Sequence, residues 1–139
     1  MCLSRYLDEM SSQLSAFVGY EAGSQWALDR IDGLEKGIRL FQKKLQRTRL
    51  TLQAFEQRIK EKRERIERLT NRIEVYLNLK DHANAWQYAM ALDRLNKLLE
   101  EELAHFLQVG HAMQRLRAGK KQLQRKLANF LASFYPNNN

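Results

Sequence analysis

The stretch NRIEVYLNLKDHANAWQYAMALDRL, residues 71–95, decides the fold because it separates two long helical patterns without a glycine or a proline. One helix running through it would make the chain a rod, whereas a reversal would make it a hairpin. Local chemistry favours the reversal, since Asn78 tolerates the left-handed conformation that ends helices and Asp81 is a good helix N-cap. The alanine-rich residues 83–91 also suit close packing beside a tight turn.

The composition is that of an all-α protein. The 139 residues include one proline and six glycines, 29% of them are charged, and no run of residues reads as a strand. A chain of this length normally makes one domain.

A heptad repeat precedes the quoted stretch, and its a positions are all Ile or Leu: Ile31, Ile38, Leu45, Leu52, Ile59, Ile66 and Ile73. After the stretch a second repeat has a different phase, with the row Leu92, Leu99, Phe106, Met113, Lys120, Leu127 and Phe134. The change of phase is typical of a reversal, although a stutter in one continuous helix also produces it. We interpret residues 26–135 as a long antiparallel coiled-coil helical hairpin with its tip near residues 78–83.

The two repeats define a hairpin seam, which we assign to Ile38, Leu45, Leu52, Ile59, Ile66, Ile73, Leu92, Leu99, Phe106, Met113 and Leu127. Across a hairpin with this tip, facing residues have numbers that sum to about 160–164. Lys62 and Glu102 are charged residues at the other core position of the two heptads, three residues after Ile59 and Leu99. Their numbers satisfy this rule, so we predict a register-fixing ion pair between them. Lys120 has no comparable acidic partner near residues 40–44.

Residues 1–19 carry the pattern of a short N-terminal amphipathic helix, and a glycine-containing linker follows at residues 20–25. The apolar stripe consists of Leu3, Tyr6, Leu7, Met10, Leu14, Phe17 and Val18. Its serine-rich, weakly charged polar face resembles helices that insert into bilayer packing defects. A third helix packed on the hairpin, or an interface helix in an oligomer, would show the same stripe. Residues 136–139 are expected to be a disordered tail.

The formal net charge of +8 indicates anionic partners, although a solvated helix surface has the same composition. Basic residues dominate residues 36–72, and no acidic residue follows Glu102. An anionic lipid membrane fits this layout, whereas nucleic acid is disfavoured because stacking aromatics do not interleave with the basic residues. The single cysteine, Cys2, and the absence of a signal-like or membrane-spanning run predict a cytoplasmic protein.

Catalytic patterns are few. Glu102 and His105 form one Glu-x-x-His pair, whereas di-metal helical bundles need a second copy and two more carboxylates. We therefore predict no enzyme activity, no metal, no cofactor and no small-molecule substrate.

The layout resembles the phage-shock-protein-A and vesicle-inducing-plastid-protein family, the bacterial and plastid branch of the ESCRT-III superfamily. The resemblance rests on MCLSRYLDEM, residues 1–10, and on LNLKDHANAWQYAMALDRLNKLL, residues 77–99. It implies a homo-oligomer, peripheral on the inner face of the membrane, that remodels or protects bilayers. The seven stripe residues of segment 1–19 would then be the membrane-inserting residues. Family members continue into further helices, whereas this sequence ends at FYPNNN, residues 134–139; a minimal or divergent member is expected.

A second family fits the same composition. The stalk proteins of flagellar and type III secretion export ATPases are also basic antiparallel coiled coils, and they need no lipid. A coiled-coil adaptor of another family is the third alternative. The helix predicted at residues 1–19 distinguishes these three alternatives, because in a stalk or adaptor protein it would pack against the hairpin.

Overall fold

The computed structural model describes residues 25–134, which form two helices joined by a short turn. Helix α1 spans Gln25–Asn78 and helix α2 spans His82–Ala132, and the two pack against each other as a helical hairpin. Helix α1 starts one residue before the expected boundary at 26, and α2 ends three residues before 135. The predicted helix at residues 1–19, most of the linker and the tail at 136–139 lie outside the described residues.

The turn between the helices is closed by backbone hydrogen bonds around Lys80. The Asp81 N–H donates to the Tyr76 carbonyl at 2.9 Å, and the Lys80 N–H donates to the Leu77 carbonyl at 3.0 Å. This is the Schellman pattern, which requires a left-handed residue, and Lys80 supplies it with a φ of 59°. The expectation that Asn78 would adopt this conformation is wrong, because α1 continues through Asn78 and ends two residues before the left-handed position.

Asp81 begins the second helix as its N-cap, as the sequence predicted. Its Oδ1 accepts a hydrogen bond from the Asn84 N–H at 3.2 Å, and its Oδ2 accepts one from the Asn84 side-chain amide at 2.7 Å. The Asp81 carbonyl accepts the first helical bond of α2, from the Ala85 N–H at 3.1 Å. Two consecutive residues, Lys80 and Asp81, therefore end one helix and start the next.

The hairpin divides into two compact units. The described part of the first, here called the terminal unit, comprises residues 25–45 and 115–134. The second, the turn unit, comprises residues 46–114 and contains the turn. The terminal unit holds a buried apolar cluster of Ile31, Leu34, Ile38, Leu127 and Leu131. In the turn unit the buried apolar side chains are Ile59, Ala85, Leu95 and Met113.

Two glycines let the helices of the terminal unit approach closely. A Cβ at Gly119 would lie 2.7 Å from the Phe41 ring, and one at Gly37 would lie 2.8 Å from Leu123 Cδ1. Both distances are below contact, so each glycine receives a large side chain of the facing helix. By contrast, Gly110 has nothing within 4 Å of the Cβ position.

Replacing Lys80 by Gly is expected to stabilise the protein by about 1 kcal/mol, because a left-handed conformation costs a non-glycine residue roughly 1–2 kcal/mol. Urea unfolding followed by circular dichroism measures the change. As a control, Gln87→Gly, at an exposed position within α2, is expected to destabilise by about 1 kcal/mol. A Lys80→Gly variant as destabilised as Gln87→Gly would contradict the assignment.

Gly119→Ala and Gly110→Ala are expected to have opposite effects. Alanine at Gly110 enters open space and gains about 1 kcal/mol of helix propensity. Alanine at Gly119 gains the same propensity but displaces the Phe41 ring, and such overpacking typically costs about 1–3 kcal/mol. Thermal unfolding should therefore place Gly110→Ala above the wild-type midpoint and Gly119→Ala at or below it. Equal stabilisation by both would show that Phe41 moves at no cost.

Candidate functional site

The structure places all eleven predicted seam residues away from full exposure. Buried among them are Ile38, Leu45, Ile59, Met113 and Leu127. The other six are half-buried: Leu52, Ile66, Ile73, Leu92, Leu99 and Phe106. The contact between the two helices therefore uses the side chains that the heptads select, and the remaining helix faces are left for other contacts.

Lys62 and Glu102, the charged seam residues, lie together in the turn unit. Lys62 Nζ is 2.6 Å from Glu102 Oε2, and Arg58 Nε donates to Glu102 Oε1 at 2.8 Å. The Glu102 side chain is only 15% exposed. The hydrogen bond from Lys62 lowers the pKa of Glu102, against the raising effect of burial, and the charge of Lys62 and the contact with Arg58 lower it further.

Arg58 is a partner that the sequence reasoning missed. It lies one helical turn before Lys62, so both cations reach the same carboxylate, and this i, i+4 spacing was the available signal. The Arg58 guanidinium also lies 4.6 Å from the centre of the Phe55 ring, which in turn is 6.4 Å from the His105 ring. Glu102 therefore contacts Lys62 and Arg58, whereas His105 contacts Phe55. Within residues 25–134 no group of three His, Cys, Asp or Glu side chains could hold a metal ion.

A second aromatic contact lies beside the turn. The rings of Tyr76 and Tyr88 stack with centroids 5.4 Å apart and an interplanar angle of 10°. Arg72 covers the outside of this pair, with its guanidinium 5.5 Å from the Tyr88 ring and its Nη1 3.4 Å from the Tyr88 hydroxyl. The stack holds the helices together immediately before the chain reverses.

Charge differs strongly between the two units. The described residues of the terminal unit contain eleven Lys and Arg but three Asp and Glu, a net charge of +8. The turn unit contains twelve Lys and Arg and ten Asp and Glu, a net charge of +2. All charged residues that α2 contributes to the terminal unit are cationic: Arg115, Arg117, Lys120, Lys121, Arg125 and Lys126.

The terminal unit also presents an exposed aromatic side chain. Trp26 is 63% exposed, and its ring meets the edge of Phe130 at a centroid distance of 5.8 Å and an angle of 77°. Phe134 packs edge-to-face on Phe130 at 5.2 Å. Trp26 is therefore fixed on one side by packing while most of its surface faces solvent.

The turn unit exposes five large apolar side chains between residues 75 and 90: Val75, Leu77, Leu79, Trp86 and Met90. Half of the ten exposed large apolar side chains within residues 25–134 lie in this short range. Trp86 and Met90 line a surface depression together with Ala89, Asp93 and Arg94.

The predicted membrane-inserting residues, Leu3 to Val18, lie outside the described residues, so their contacts stay predictions. No helix within residues 25–134 has the length and apolar character needed to cross a bilayer. The chain matches no protein-family model, and comparisons with curated proteins and with solved structures also found no match.

Glu102→Gln is expected to destabilise the protein by about 1–2 kcal/mol at pH 7, because it removes the charge that both cations contact. Since the folded pKa of Glu102 is lowered from 4.5, its contribution is complete above that value and is lost as pH falls through the folded pKa. Urea unfolding at pH 7 and at about pH 2.5 should show the difference from wild type shrinking in acid.

Glu101→Gln is the matched control, because Glu101 is the exposed neighbour of Glu102 on the same helix. Its effect at pH 7 is expected to stay within about 0.5 kcal/mol. If the two variants behave alike, the ion cluster does not stabilise the hairpin.

Proposed function

We propose that this protein is a cytoplasmic, self-assembling hairpin protein that binds anionic or packing-defective bilayers and remodels or protects them. In this proposal the N-terminal helix inserts Leu3, Tyr6, Leu7, Met10, Leu14, Phe17 and Val18 into the bilayer. The hairpin supplies a basic surface that holds the protein on the lipid headgroups. The protein thereby acts peripherally on the inner face of a membrane.

The observation that carries the proposal is the charge of the terminal unit. A net +8 on its 41 described residues is a dense cationic surface, and the N-terminal segment joins the hairpin in this same unit. Each Lys or Arg near an anionic leaflet contributes about 1 kcal/mol of attraction, which decays within a Debye length. Electrostatic attraction and apolar insertion together give stable anchoring where either alone gives weak binding.

Trp26 adds support of a different kind. Tryptophan is enriched at membrane–water interfaces because its ring is largely apolar but carries one N–H donor. Trp26 directly follows the first residue of α1, and its packing on Phe130 holds the ring while leaving it 63% exposed. An exposed tryptophan within a cationic unit is a suitable interfacial anchor.

Flotation with small anionic liposomes tests the proposal by comparing the full chain with a variant that starts at Ser24. The full chain is expected to float and the shortened chain to stay behind, because the inserting stripe is gone. Flotation of both to the same extent would assign binding to charge alone. If neither floats at physiological salt, the membrane proposal fails and the stalk or adaptor alternative, with a protein partner, replaces it.

Matched charge variants test which of the two units supplies the electrostatic attraction to anionic vesicles. Replacing Lys121, Arg125 and Lys126 by Gln in the terminal unit is expected to weaken partitioning to anionic vesicles by roughly 100-fold. Replacing Lys60, Arg65 and Arg68 by Gln lowers the net charge equally within the turn unit, and it is expected to have a several-fold smaller effect. Equal losses would show that only total charge matters and that the terminal unit is not a site.

A further inference from the structure

Helix α1 has a wider strip of covered side chains in the terminal unit than in the turn unit. In the turn unit, every α1 side chain that is not exposed stands at one of the two core positions of the heptad, a or d. In the terminal unit the position directly after d is covered as well, at Leu28, Glu35 and Gln42. Glu35 is only 7% exposed, whereas Glu56 and Arg63, at the same heptad position in the turn unit, are exposed. This strip indicates a surface of the terminal unit that suits a third element.

Helix α2 extends this surface on the same side of the helix pair. In an antiparallel pair the residues directly after d of both helices flank the core on one side. Leu131 follows the core residue Phe130, is 3% exposed and packs in the buried cluster with Ile31. Gln124, one heptad earlier, is half-buried. We call this surface the side face, which consists of Leu28, Glu35, Gln42, Gln124 and Leu131.

The apolar stripe predicted in segment 1–19 has the length of the side face. From Leu3 to Val18 a helix rises about 22 Å, at 1.5 Å per residue. From Leu28 to Gln42 the side face rises about 21 Å along α1. The stripe and the side face therefore match from end to end when they lie side by side.

The connection to α1 has the length needed to lay the segment back along that helix. Six residues, 19–24, separate Val18 from the first residue of α1, and about 2–8 residues usually connect packed helices. Two of the six are glycines, which adopt the turn conformations that a reversal requires. Counting outward from this connection in both directions pairs Leu3 with Gln42, at the far end of the side face.

Charge favours the same placement. Residues 1–24 contain Arg5, Asp8, Glu9 and Glu21, a net charge of −2. The described residues of the terminal unit carry a net charge of +8. Because these charges have opposite signs, docking of the segment lowers the self-repulsion of the terminal unit. The terminal unit of a second copy would instead bring another cationic surface.

We propose that segment 1–19 docks as a third helix on the side face when no lipid is present, antiparallel to α1, and that a bilayer competes with the side face for the apolar stripe. Docking then regulates membrane binding, because the apparent affinity falls in proportion to the fraction of undocked chains. The release by lipid rests on the proposed function, whereas the docking needs no membrane. A stalk or adaptor protein would keep the same helix docked permanently.

Cross-linking through the native cysteine tests the docking. Cys2 is the one cysteine of the sequence, and the pairing of Leu3 with Gln42 places it at the same end of the side face. In the lipid-free full chain at low concentration, Gln42→Cys is expected to form an intramolecular disulfide at least about tenfold faster than Leu40→Cys, as mass spectrometry measures. Leu40 is the matched control because it is 53% exposed and lies about 200° around the helix axis from Gln42.

Two outcomes of the cross-linking overturn the docking. Equal disulfide rates for Gln42→Cys and Leu40→Cys would mean that the segment has no preferred position on α1. Disulfide-linked dimers in place of the intramolecular product would mean that a second copy supplies the segment.

Vesicles of phosphatidylserine and phosphatidylcholine test the competition. They are expected to slow the disulfide of Gln42→Cys several-fold. Leu28→Gln is expected to raise partitioning to these vesicles about threefold, because it removes an apolar contact of the side face and leaves the stripe and the net charge unchanged. Leu40→Gln is the control, and it is expected to partition like the wild type. If Leu28→Gln partitions no better than Leu40→Gln, the side face does not hold the stripe and the proposal is wrong.

The docking and the proposed function fail in different ways. A disulfide specific for Gln42→Cys, in a chain that neither floats with vesicles nor responds to them, overturns the bilayer function and the release by lipid. The segment is then a permanently docked third helix. Flotation of a chain in which Cys2 reacts equally with both added cysteines overturns the docking and leaves the bilayer function in place.

Discussion

The structure depends on the burial of one narrow apolar stripe on each of two helices. Because the heptads place Ile, Leu and aromatic residues at only two positions in seven, neither helix can bury its stripe except against another stripe of the same width. Ile31, Ile38 and Leu127 are the side chains that this packing buries most completely. The reversal of the chain lets the two stripes bury each other, in a register that keeps charged seam positions together. Glu102, held by Lys62 and Arg58, is where that register is stabilised by charge.

The helix positions outside the two apolar stripes are the ones at which functional surfaces can lie. Most positions outside the seam face solvent, and the chain uses them differently in its two units. The terminal unit fills them with cations and one exposed tryptophan, which suits attraction to an anionic surface. The turn unit nearly balances its charges, at a net +2, and exposes large apolar side chains beside the turn. The two units thus present two kinds of surface.

The hairpin, the seam and the Lys62–Glu102 contact could be read from the sequence because each follows from periodicity. The Asp81 cap could be read because its chemistry is local. The left-handed conformation of Lys80 could not be predicted from the sequence, because it depends on where α1 ends. Packing sets that end as much as the residues Asn78 and Lys80 do. The Phe41–Gly119 contact depends on differences of tenths of an ångström, which no pattern encodes. The exposure of Trp86 and Met90 could also be predicted, because both residues fall outside the core positions of the heptads.

Lys80 has a consequence for the order in which the chain folds. Contacts beside the turn join residues close in sequence, such as Tyr76 and Tyr88, whereas the cluster of Ile31 and Leu127 joins residues nearly a hundred apart. Because loop closure becomes more costly with length, we expect pairing to begin at the turn and to proceed toward the helix ends. A folding chain then meets the left-handed lysine at its first step, before the larger core has formed. The left-handed conformation costs a lysine roughly 1–2 kcal/mol, so we expect Lys80 to slow this first step of pairing.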